Sequence, residues 1–217
     1  MISPWFNKFT SIDDADVDEA KKISVKARLT KLAERSGFPE TEIVVIDHSK
    51  RSGHSNSAFI GTWRSKRIIL YDTLFSEKFT DDQIEAVCAH EIGHYKLNHT
   101  NKLFLVGIGN LCLMFGTFAL FINNHSMLIS YGFDHESNFV SLMVFFKAYE
   151  LVSFLSNTAM TVLKRKIEFE ADQYAANQSD EMKKALGEAL LKMTSENKSC
   201  MNPDPWYSAV YCNHPTL

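Results

Sequence analysis

Apolar and polar positions in the first hundred residues follow the spacing of a small α+β domain. Residues 14–35 place apolar side chains at helical intervals among charged ones, which predicts an amphipathic surface helix that ends at Gly37. Three short β-type runs follow, separated by turns rich in serine, glycine and charge, and they predict a small antiparallel sheet. These runs cover residues 43–46, 58–63 and 68–71.

A capping signal precedes the next helix. The four residues from Thr80 to Gln83 are Thr-Asp-Asp-Gln, in which the first and last side chains can each bond the other residue's backbone N–H. This pattern predicts a helix from Thr80 to about residue 98. Further along, residues 167–176 and 180–195 also have helical patterns, whereas residues 202–217 have the composition of a loop with short turns.

Two long apolar stretches separate these regions. Residues 103–122 contain no charged side chain, and a helix of that length spans a bilayer core of roughly 30 Å. Residues 139–163 are also long enough, but they carry Lys147 and Glu150 near the middle, three positions apart on one helical face. That pair fits either a buried soluble helix with a self-neutralised ion pair, or a span whose polar face lines a water-filled chamber. We favour the chamber, because charges at that depth are costly and usually functional.

Flanking charge predicts how the two spans are oriented. Basic residues lie before the first span and directly after the second, whereas residues 123–138 contain no lysine or arginine. The positive-inside rule therefore places both polar parts of the chain in the cytosol and the connecting loop across the membrane.

Composition excludes several other classes of protein. A net charge of −3 and a pI near 6.2 argue against nucleic acid as a partner. The four cysteines form no Cys-x-x-Cys pair, so they indicate a reduced compartment or core packing and not a disulfide framework or a thiolate zinc site. The first residues lack a basic segment followed by an apolar core, so no signal peptide is expected.

The predicted helix from Thr80 carries a metal-binding motif, His-Glu-x-x-His. His90 and His94 lie one turn apart on one helical face, so both imidazoles can reach one zinc ion. Glu91 follows the first histidine, which places its carboxylate where it can take a proton from metal-bound water. Two ordinary histidines on a helix are the plain alternative, but the strong helix start and the apolar positions around the motif favour the zinc site.

A catalytic zinc site needs a third protein ligand. His99 is close in sequence, but a metzincin-type third histidine would lie at position 100, which is Thr100, and His99 is on another helical face. Glu168 and Asp172 are better candidates, because they lie four residues apart on one face of a later helix. One of them can bind metal while the other accepts the free N–H of a ligand histidine.

With these residues assembled, the chain resembles the type I (sterile-24 type) CAAX prenyl endopeptidases, the zinc metalloproteases that mature a-factor and prelamin A. The resemblance extends in order through nearly the whole chain, and together its segments are far more specific than the zinc motif alone. They are residues 2–9, 49–56 with Phe59 and Gly61, 66–74, the zinc helix, the hairpin, 168–172 and 213–217.

The resemblance implies a role for each of the site residues. His90, His94 and Glu168 would bind one Zn²⁺ per chain, with Glu91 as general base. Asp172 would support a ligand histidine, and His214 would stabilise the scissile carbonyl. Asn56 and the strand after it, Ser57 and Ala58, would hold the substrate backbone, although a turn residue capping a strand is an equally good explanation of Asn56. Without the resemblance, His214 would be an ordinary loop histidine.

Three departures from the family are visible in the sequence. Full members have seven spans around a large chamber, whereas two are predicted here, so the chain is expected to be the C-terminal portion of such an enzyme and to lack its N-terminal transmembrane helices. The family tail usually continues to an arginine, but this sequence ends at Leu217. Ser57 and Ala58 replace an alanine and an aromatic residue.

The predicted fold is therefore an α+β zincin-like metallopeptidase domain, mainly helical, with a two-helix transmembrane hairpin inserted between the zinc-ligand helices. Residues 1–100 would form the cytosolic part with the sheet and the zinc motif, residues 101–163 the hairpin, and residues 164–217 the second ligand helix and the rest of the catalytic part. The expected location is the endoplasmic reticulum and inner nuclear membrane, with the catalytic part facing the cytosol.

The expected reaction is cleavage of the C-terminal tripeptide, and of an upstream site in some substrates, from proteins farnesylated on a CAAX cysteine. The expected partners are that substrate and membrane lipid. Two alternatives remain at this point. An HtpX-type quality-control protease shares the zinc helix, the hairpin and the acidic helix, and a truncated inactive chain would only bind prenylated tails. Residues 51–56 and the N-terminal Pro-Trp-Phe-Asn-Lys-Phe segment favour the prenyl protease over the first of these.

Overall fold

The structure is a computed structural model that describes residues 9–39, 42–50, 52–61, 66–122, 124–135 and 137–214. The predicted features at residues 2–8, Arg51, 62–63 and 215–217 lie outside these ranges. In chain order, the described elements are β1 (Phe9–Ser11), α1 (Glu19–Ser36), β2 (Ile43–Ile46), β3 (Ser57–Gly61), β4 (Lys66–Tyr71), a 3-10 turn (Asp72–Phe75), α2 (Asp81–Lys96), α3 (His99–Phe121), α4 (His125–Ser130), α5 (Asn138–Ala176), α6 (Asp180–Glu196) and α7 (Pro205–Tyr211).

The sheet is mixed, so the prediction of an antiparallel sheet was wrong. Its strand order is β1-β2-β4-β3, in which β2 and β4 run parallel and the two outer pairs are antiparallel. The reason lies in burial. Strand β2 and the Ile68–Leu70 part of β4 are apolar runs with mostly buried side chains, which favours central positions, whereas β3 is only partly buried and lies at an edge. Strand β4 therefore lies between β2, to which it is parallel, and the edge strand β3, to which it is antiparallel.

Helix α1 ends where predicted but begins later. Gly37 adopts the left-handed conformation at φ +59°, which suits a residue without a Cβ, and terminates the helix. At the other end, the Asp18 carboxylate accepts the backbone N–H of Lys21 at 2.9 Å, so the helix starts at Glu19 and not at position 14. The acidic residues before Asp18 favour this capped turn over another turn of helix.

Helix α2 lies at the centre of the domain and packs against α1, α5, α6 and β3. The predicted capping box is present: Thr80 Oγ1 accepts the Gln83 N–H at 3.3 Å, and Gln83 Oε1 accepts the Thr80 N–H at 3.2 Å. Five side chains of this helix are fully buried, namely Ile84, Ala86, Cys88, Ala89 and Ile92. The zinc motif therefore lies on the most enclosed helix of the described chain.

Helices α3 and α5 are both long and apolar enough to cross a membrane, and none of the apolar window of α3 is buried within the described chain. They contact each other through a hydrogen bond in which Ser156 Oγ donates to Asn110 Oδ1 at 2.6 Å. Helix α5 runs for 39 residues without a break, as predicted, from the second apolar stretch into the acidic segment. Both proposed domain boundaries fall at or inside these helices, and the division itself stays a prediction.

The C-terminal tail contains a helix that the sequence pattern did not predict. Helix α7 follows Asp204, whose carboxylate accepts the N–H groups of Trp206 and Tyr207, and Pro205 occupies its first turn. The tail was predicted to be loop and turns because seven residues are too few to show a helical period.

The four cysteines are free thiols in the described structure, and Cys88 is buried in the core.

A glycine allows the close approach of α2 and α5. A Cβ placed on Gly93 would lie 3.2 Å from the backbone of Ala171 and 3.2 Å from Cβ of Tyr174.

We predict that Gly93→Ala lowers the thermal unfolding midpoint of the protein in detergent, because overpacking at rigid backbone costs about 1–3 kcal/mol. The matched control is Gly187→Ala on α6, where nothing lies within 4 Å, and alanine there should stabilise the helix by roughly 0.5–1 kcal/mol. Equal midpoints for the two variants would contradict this account of the contact.

Candidate metal centre

Two helices bring three potential ligands together. His90 and His94 project from α2 with their Nε2 atoms 3.1 Å apart. Glu168 projects from α5, with Oε2 at 3.5 Å from His90 Nε2 and Oε1 at 3.8 Å from His94 Nε2. One potential ligand atom from each of the three residues lies within 4.8 Å of the others.

These separations fit a tetrahedral metal ion. Ligand bonds of 2.0–2.2 Å at tetrahedral angles place neighbouring donor atoms roughly 3.3–3.6 Å apart. The observed distances of 3.1, 3.5 and 3.8 Å, the last two to different oxygens of Glu168, bracket that range. Two imidazoles and one carboxylate form a donor set suited to Zn²⁺, and three protein ligands leave one position for water or substrate. The residues therefore fit the metal that the motif predicts.

The local sequence explains this geometry. The four-residue spacing of the two histidines on α2 aligns their rings, while Gly93 between them lets α5 pack at backbone distance. The same spacing on α5 aligns Glu168 with Asp172. Asp172 Oδ1 lies 2.8 Å from Nδ1 of His90, so it accepts the proton of the ring nitrogen that points away from the cluster. The structure thus places Glu168 at the cluster and Asp172 behind it.

His99 lies outside the group of three potential ligands. It is buried, with 1% of its surface exposed, and its Nδ1 is 3.0 Å from Nδ1 of His94. Its Nε2 is 3.1 Å from Oε2 of Glu170. Sequence reasoning considered His99 only as a ligand and did not consider Glu170, because the contact between them joins residues 71 positions apart.

Electrostatics distinguish the two ligand histidines. Burial opposes a charge on His90, but hydrogen bonds to Asp172 and Glu168 outweigh it and raise its pKa to about 10. Burial and the neighbouring His90 lower the pKa of His94 to about 4. At neutral pH, His94 therefore offers a free lone pair, whereas His90 would have to lose a proton to act as a metal ligand.

The carboxylate of Glu91 is buried beside the cluster. It accepts a hydrogen bond of 2.6 Å from Ser57 Oγ and another from the backbone N–H of Phe59, so strand β3 fixes its orientation. Burial raises the pKa of Glu91, while the charge of His90 and the bond from Ser57 act in the opposite direction. The contact with Ser57 was not predicted. From the sequence, Ser57 is expected only to hold the substrate backbone.

His214 approaches the cluster from the tail. Its Nδ1 is 3.2 Å from Oε2 of Glu168, and this bond raises the pKa of the imidazole. Its position depends on Arg165, one turn before Glu168 on α5. The Arg165 guanidinium donates to the carbonyls of Ser208, Ala209 and Cys212, at 2.6, 3.0 and 3.0 Å, and so holds the end of α7 two residues before His214. Arg165 was not identified from the sequence, because a basic run after a span is explained by topology alone.

A cavity of about 730 Å³ opens beside the cluster. Edge strand β3 borders it, and its lining includes the three predicted substrate-edge residues, Asn56, Ser57 and Ala58. The Asn56 side chain accepts the N–H of Ser57 at 2.9 Å, which is the strand-capping contact expected of a turn residue. Among the described residues, Lys147 and Glu150 do not line this cavity. They pair with each other at 2.8 Å on the exposed surface of α5.

Fold and site together define a zincin-like metallopeptidase, and comparison with known proteins agrees. The profile of peptidase family M48 matches residues 19–217, so the chain belongs to that family. It is 38% identical over 217 residues to a CAAX prenyl protease 1 homolog of Arabidopsis thaliana and 35% identical over 233 residues to CAAX prenyl protease 1 of Saccharomyces cerevisiae. Each match covers all of this chain and 49% of the relative.

A solved structure gives the same result for the fold. The crystal structure of Ste24p from S. mikatae matches with a TM-score of 0.81 and 35% sequence identity, over 98% of this chain and 51% of that one. The resemblance to CAAX prenyl endopeptidases and the predicted zincin-like fold class are confirmed. The chain spans about half the length of the relatives that it matches.

The contact of Arg165 with α7 can be tested directly. Replacing it by methionine removes charge-assisted hydrogen bonds worth roughly 1.5–3 kcal/mol, so we predict that the segment 205–214 opens about tenfold more often or more. Hydrogen–deuterium exchange of peptides from that segment measures the change. Lys164→Met, which alters the neighbouring cation on the same helix, is the control. Equal exchange in both variants would show that α7 is held by other contacts.

Proposed function

We propose that the protein is a zinc metalloendopeptidase that removes the C-terminal tripeptide of farnesylated CAAX proteins. The observation that carries this proposal is the cluster of His90, His94 and Glu168 beside the buried carboxylate of Glu91. Support comes from the donor set, which is of the catalytic type, and from 35–38% identity to CAAX prenyl proteases over the whole chain.

The chain's own residues account for the proton transfers. A zinc ion held by His90, His94 and Glu168 would supply a positive charge for the substrate carbonyl and a water with a pKa near 7. Glu91 lies against this site, so its carboxylate would accept a proton from the water that attacks the carbonyl carbon. As the C–N bond breaks, Glu91 would return that proton to the leaving amine. Hydrogen bonds from Ser57 and Phe59 hold the carboxylate in place for both transfers.

The substrate backbone would bind at the edge of the sheet. Strand β3 is an edge strand that borders the cavity, and an extended peptide can add to such an edge through main-chain hydrogen bonds. In this proposal, Asn56 and the strand that follows it bind the substrate backbone. Ser57 is part of that strand, and its hydroxyl also bonds the carboxylate of Glu91. His214, held near Glu168, would stabilise the oxyanion of the scissile carbonyl.

The membrane would supply the lipid part of the substrate. Helices α3 and α5 have the length and composition of spans and converge on the metal centre at one end, so a farnesyl group held by the bilayer lies near the cavity. We further propose that Lys147 and Glu150 face water in a chamber of the intact enzyme, because an exposed ion pair on a span is costly in lipid. An endoplasmic reticulum location, which the family resemblance implies, and a cytosol-facing site, which the flanking charge predicts, belong to the same proposal.

Cleavage of matched peptides tests this function. We predict that the purified protein cleaves a farnesylated CAAX peptide and leaves the same peptide without the lipid nearly intact. Glu91→Gln should retain zinc but lose cleavage by a factor of about 100 or more, because the amide cannot accept the proton. His90→Ala should lose zinc and cleavage together. Mass spectrometry of the products and metal analysis of each variant give the two readouts.

Controls for this experiment separate the rival functions. His135→Ala, an exposed histidine in the loop between the two spans, should change neither zinc content nor cleavage. Equal cleavage of both peptides would favour a quality-control protease. Zinc bound without any cleavage would favour a chain that only binds prenylated tails. Normal cleavage by the Glu91 variant would refute the mechanism.

The bond between Ser57 and Glu91 predicts a change in pH dependence. Glu91 must be ionised to act as a base, and the Ser57 hydroxyl lowers its pKa by bonding the charged form. Ser57→Ala removes that bond, so the pKa should rise and the acid limb of kcat/KM should move to higher pH. Ser55→Ala is the control, because the bonds of Ser55 to Asn197 use its main chain. An acid limb that stays in place or moves to lower pH would rule out this role for Ser57.

A further inference from the structure

A chain of hydrogen bonds extends from the metal centre away from the cavity. It links His94 on α2, His99 at the first position of α3 and Glu170 on α5, through contacts of 3.0 and 3.1 Å. His99 is 1% exposed, although it is a polar residue at the start of an apolar helix. A buried imidazole has to satisfy both ring nitrogens, and here each of them has one partner.

When His94 binds metal, only one arrangement of protons allows every hydrogen bond between His94, His99 and Glu170 to form. Its Nε2 faces His90 and Glu168, so that atom must keep its lone pair and the proton must lie on Nδ1. This N–H then donates to Nδ1 of His99, which must accept. The proton of His99 therefore lies on Nε2 and is donated to the carboxylate of Glu170.

Two lysines lie beside Glu170, the last residue of this hydrogen-bonded series. Glu170 lies 3.6 Å from Lys102 Nζ on α3 and 3.9 Å from Lys166 Nζ on its own helix. These two cations favour the ionised carboxylate, which is the form that accepts the proton of His99. A hydrogen bond to a charged acceptor is stronger than one to a neutral acceptor, so the orientation of both rings is held more tightly.

We propose that His99 and Glu170 are positioning residues that fix the tautomer and the ring plane of His94. They would serve His94 as Asp172 serves His90, with His99 as an intermediate link. This inference rests on the proposed function, since it takes His94 as a zinc ligand. It also gives the membrane hairpin a defined connection to the metal centre, because His99 and Glu170 lie where α3 and α5 leave the catalytic part.

A purely structural role for His99 makes a different prediction. If His99 only fills space in the core, Phe is a suitable replacement and Asn leaves a cavity. If it acts through hydrogen bonds, Asn is the better replacement, because its side-chain oxygen can accept near the position of Nδ1 while Phe offers no acceptor. If His99 only fills space, the Phe variant should resemble the wild type more closely than the Asn variant. If His99 acts through hydrogen bonds, the Asn variant should resemble it more closely.

Zinc affinity measured by competition with a chelator tests the proposal without relying on activity. We expect His99→Phe to weaken zinc binding 10- to 100-fold, the usual effect of losing an outer hydrogen-bond partner of a ligand histidine. His99→Asn should lie closer to the wild type than His99→Phe. Glu170→Gln should weaken binding less than His99→Phe, because the amide oxygen can still accept but carries no charge. The visible absorption spectrum of the Co²⁺-substituted protein should change in the same order.

Two control variants isolate the hydrogen-bonded chain. Glu150→Gln removes a carboxylate with a lysine partner on the same helix, far from the metal centre, and should leave zinc affinity unchanged. Lys102→Met removes one cation from Glu170 but leaves the contact with His99, so its effect should be smaller than that of His99→Phe. Thermal unfolding of each variant identifies any loss of affinity that follows from misfolding.

The outcomes distinguish this inference from the function on which it rests. A wild-type protein that binds no zinc would overturn the proposed function and the inference with it. Zinc bound tightly by the wild type and equally by His99→Phe would overturn the inference alone. Equal weakening by Phe and Asn at position 99 would also overturn it, because the hydrogen bond would then not be what matters.

Discussion

The close packing of α2 against α5 is the constraint on which the site depends. Gly93 lies between the two ligand histidines, and the backbone of Ala171 lies only 3.2 Å from where a Cβ on Gly93 would be. This approach brings the carboxylate of Glu168 to 3.5 and 3.8 Å from the two Nε2 atoms, distances that a single ion can bridge. Nothing in either helix alone creates the site. It exists because two backbones meet at a position where one of them has no Cβ.

Around this contact, the polar groups are oriented by partners from other elements. Asp172 bonds His90, His99 bonds His94, Ser57 bonds Glu91, and His214 bonds Glu168. In a buried site, an unpaired polar group costs several kcal/mol, so each of these contacts selects one orientation of its ligand or base. The result is a preorganised cluster in which the metal-facing atoms are already directed toward one point.

One helix carries both a stretch long and apolar enough to cross a membrane and two residues of the candidate metal centre. Helix α5 runs unbroken from an apolar stretch long enough to cross a bilayer to the segment that holds Glu168 and Asp172, and α3 begins at His99. A continuous helix links the apolar hairpin directly to the metal centre. This arrangement suits an enzyme of peptidase family M48 whose proposed substrate is partly held in lipid.

Local interactions allowed much of this protein to be predicted from sequence. The capping box at Thr80, the one-turn spacing of His90 and His94, and the apolar lengths that become α3 and α5 depend on residues a few positions apart. The sheet topology, helix α7 and the contacts of Ser57, His99 and Arg165 could not be predicted in this way. The parallel pairing of β2 with β4 joins residues 25 positions apart, and the contacts of Ser57, His99 and Arg165 with Glu91, Glu170 and α7 join residues 34 to 71 positions apart. Helix α7 is too short to show a period, and only the packing of the chain decides which of these segments meet.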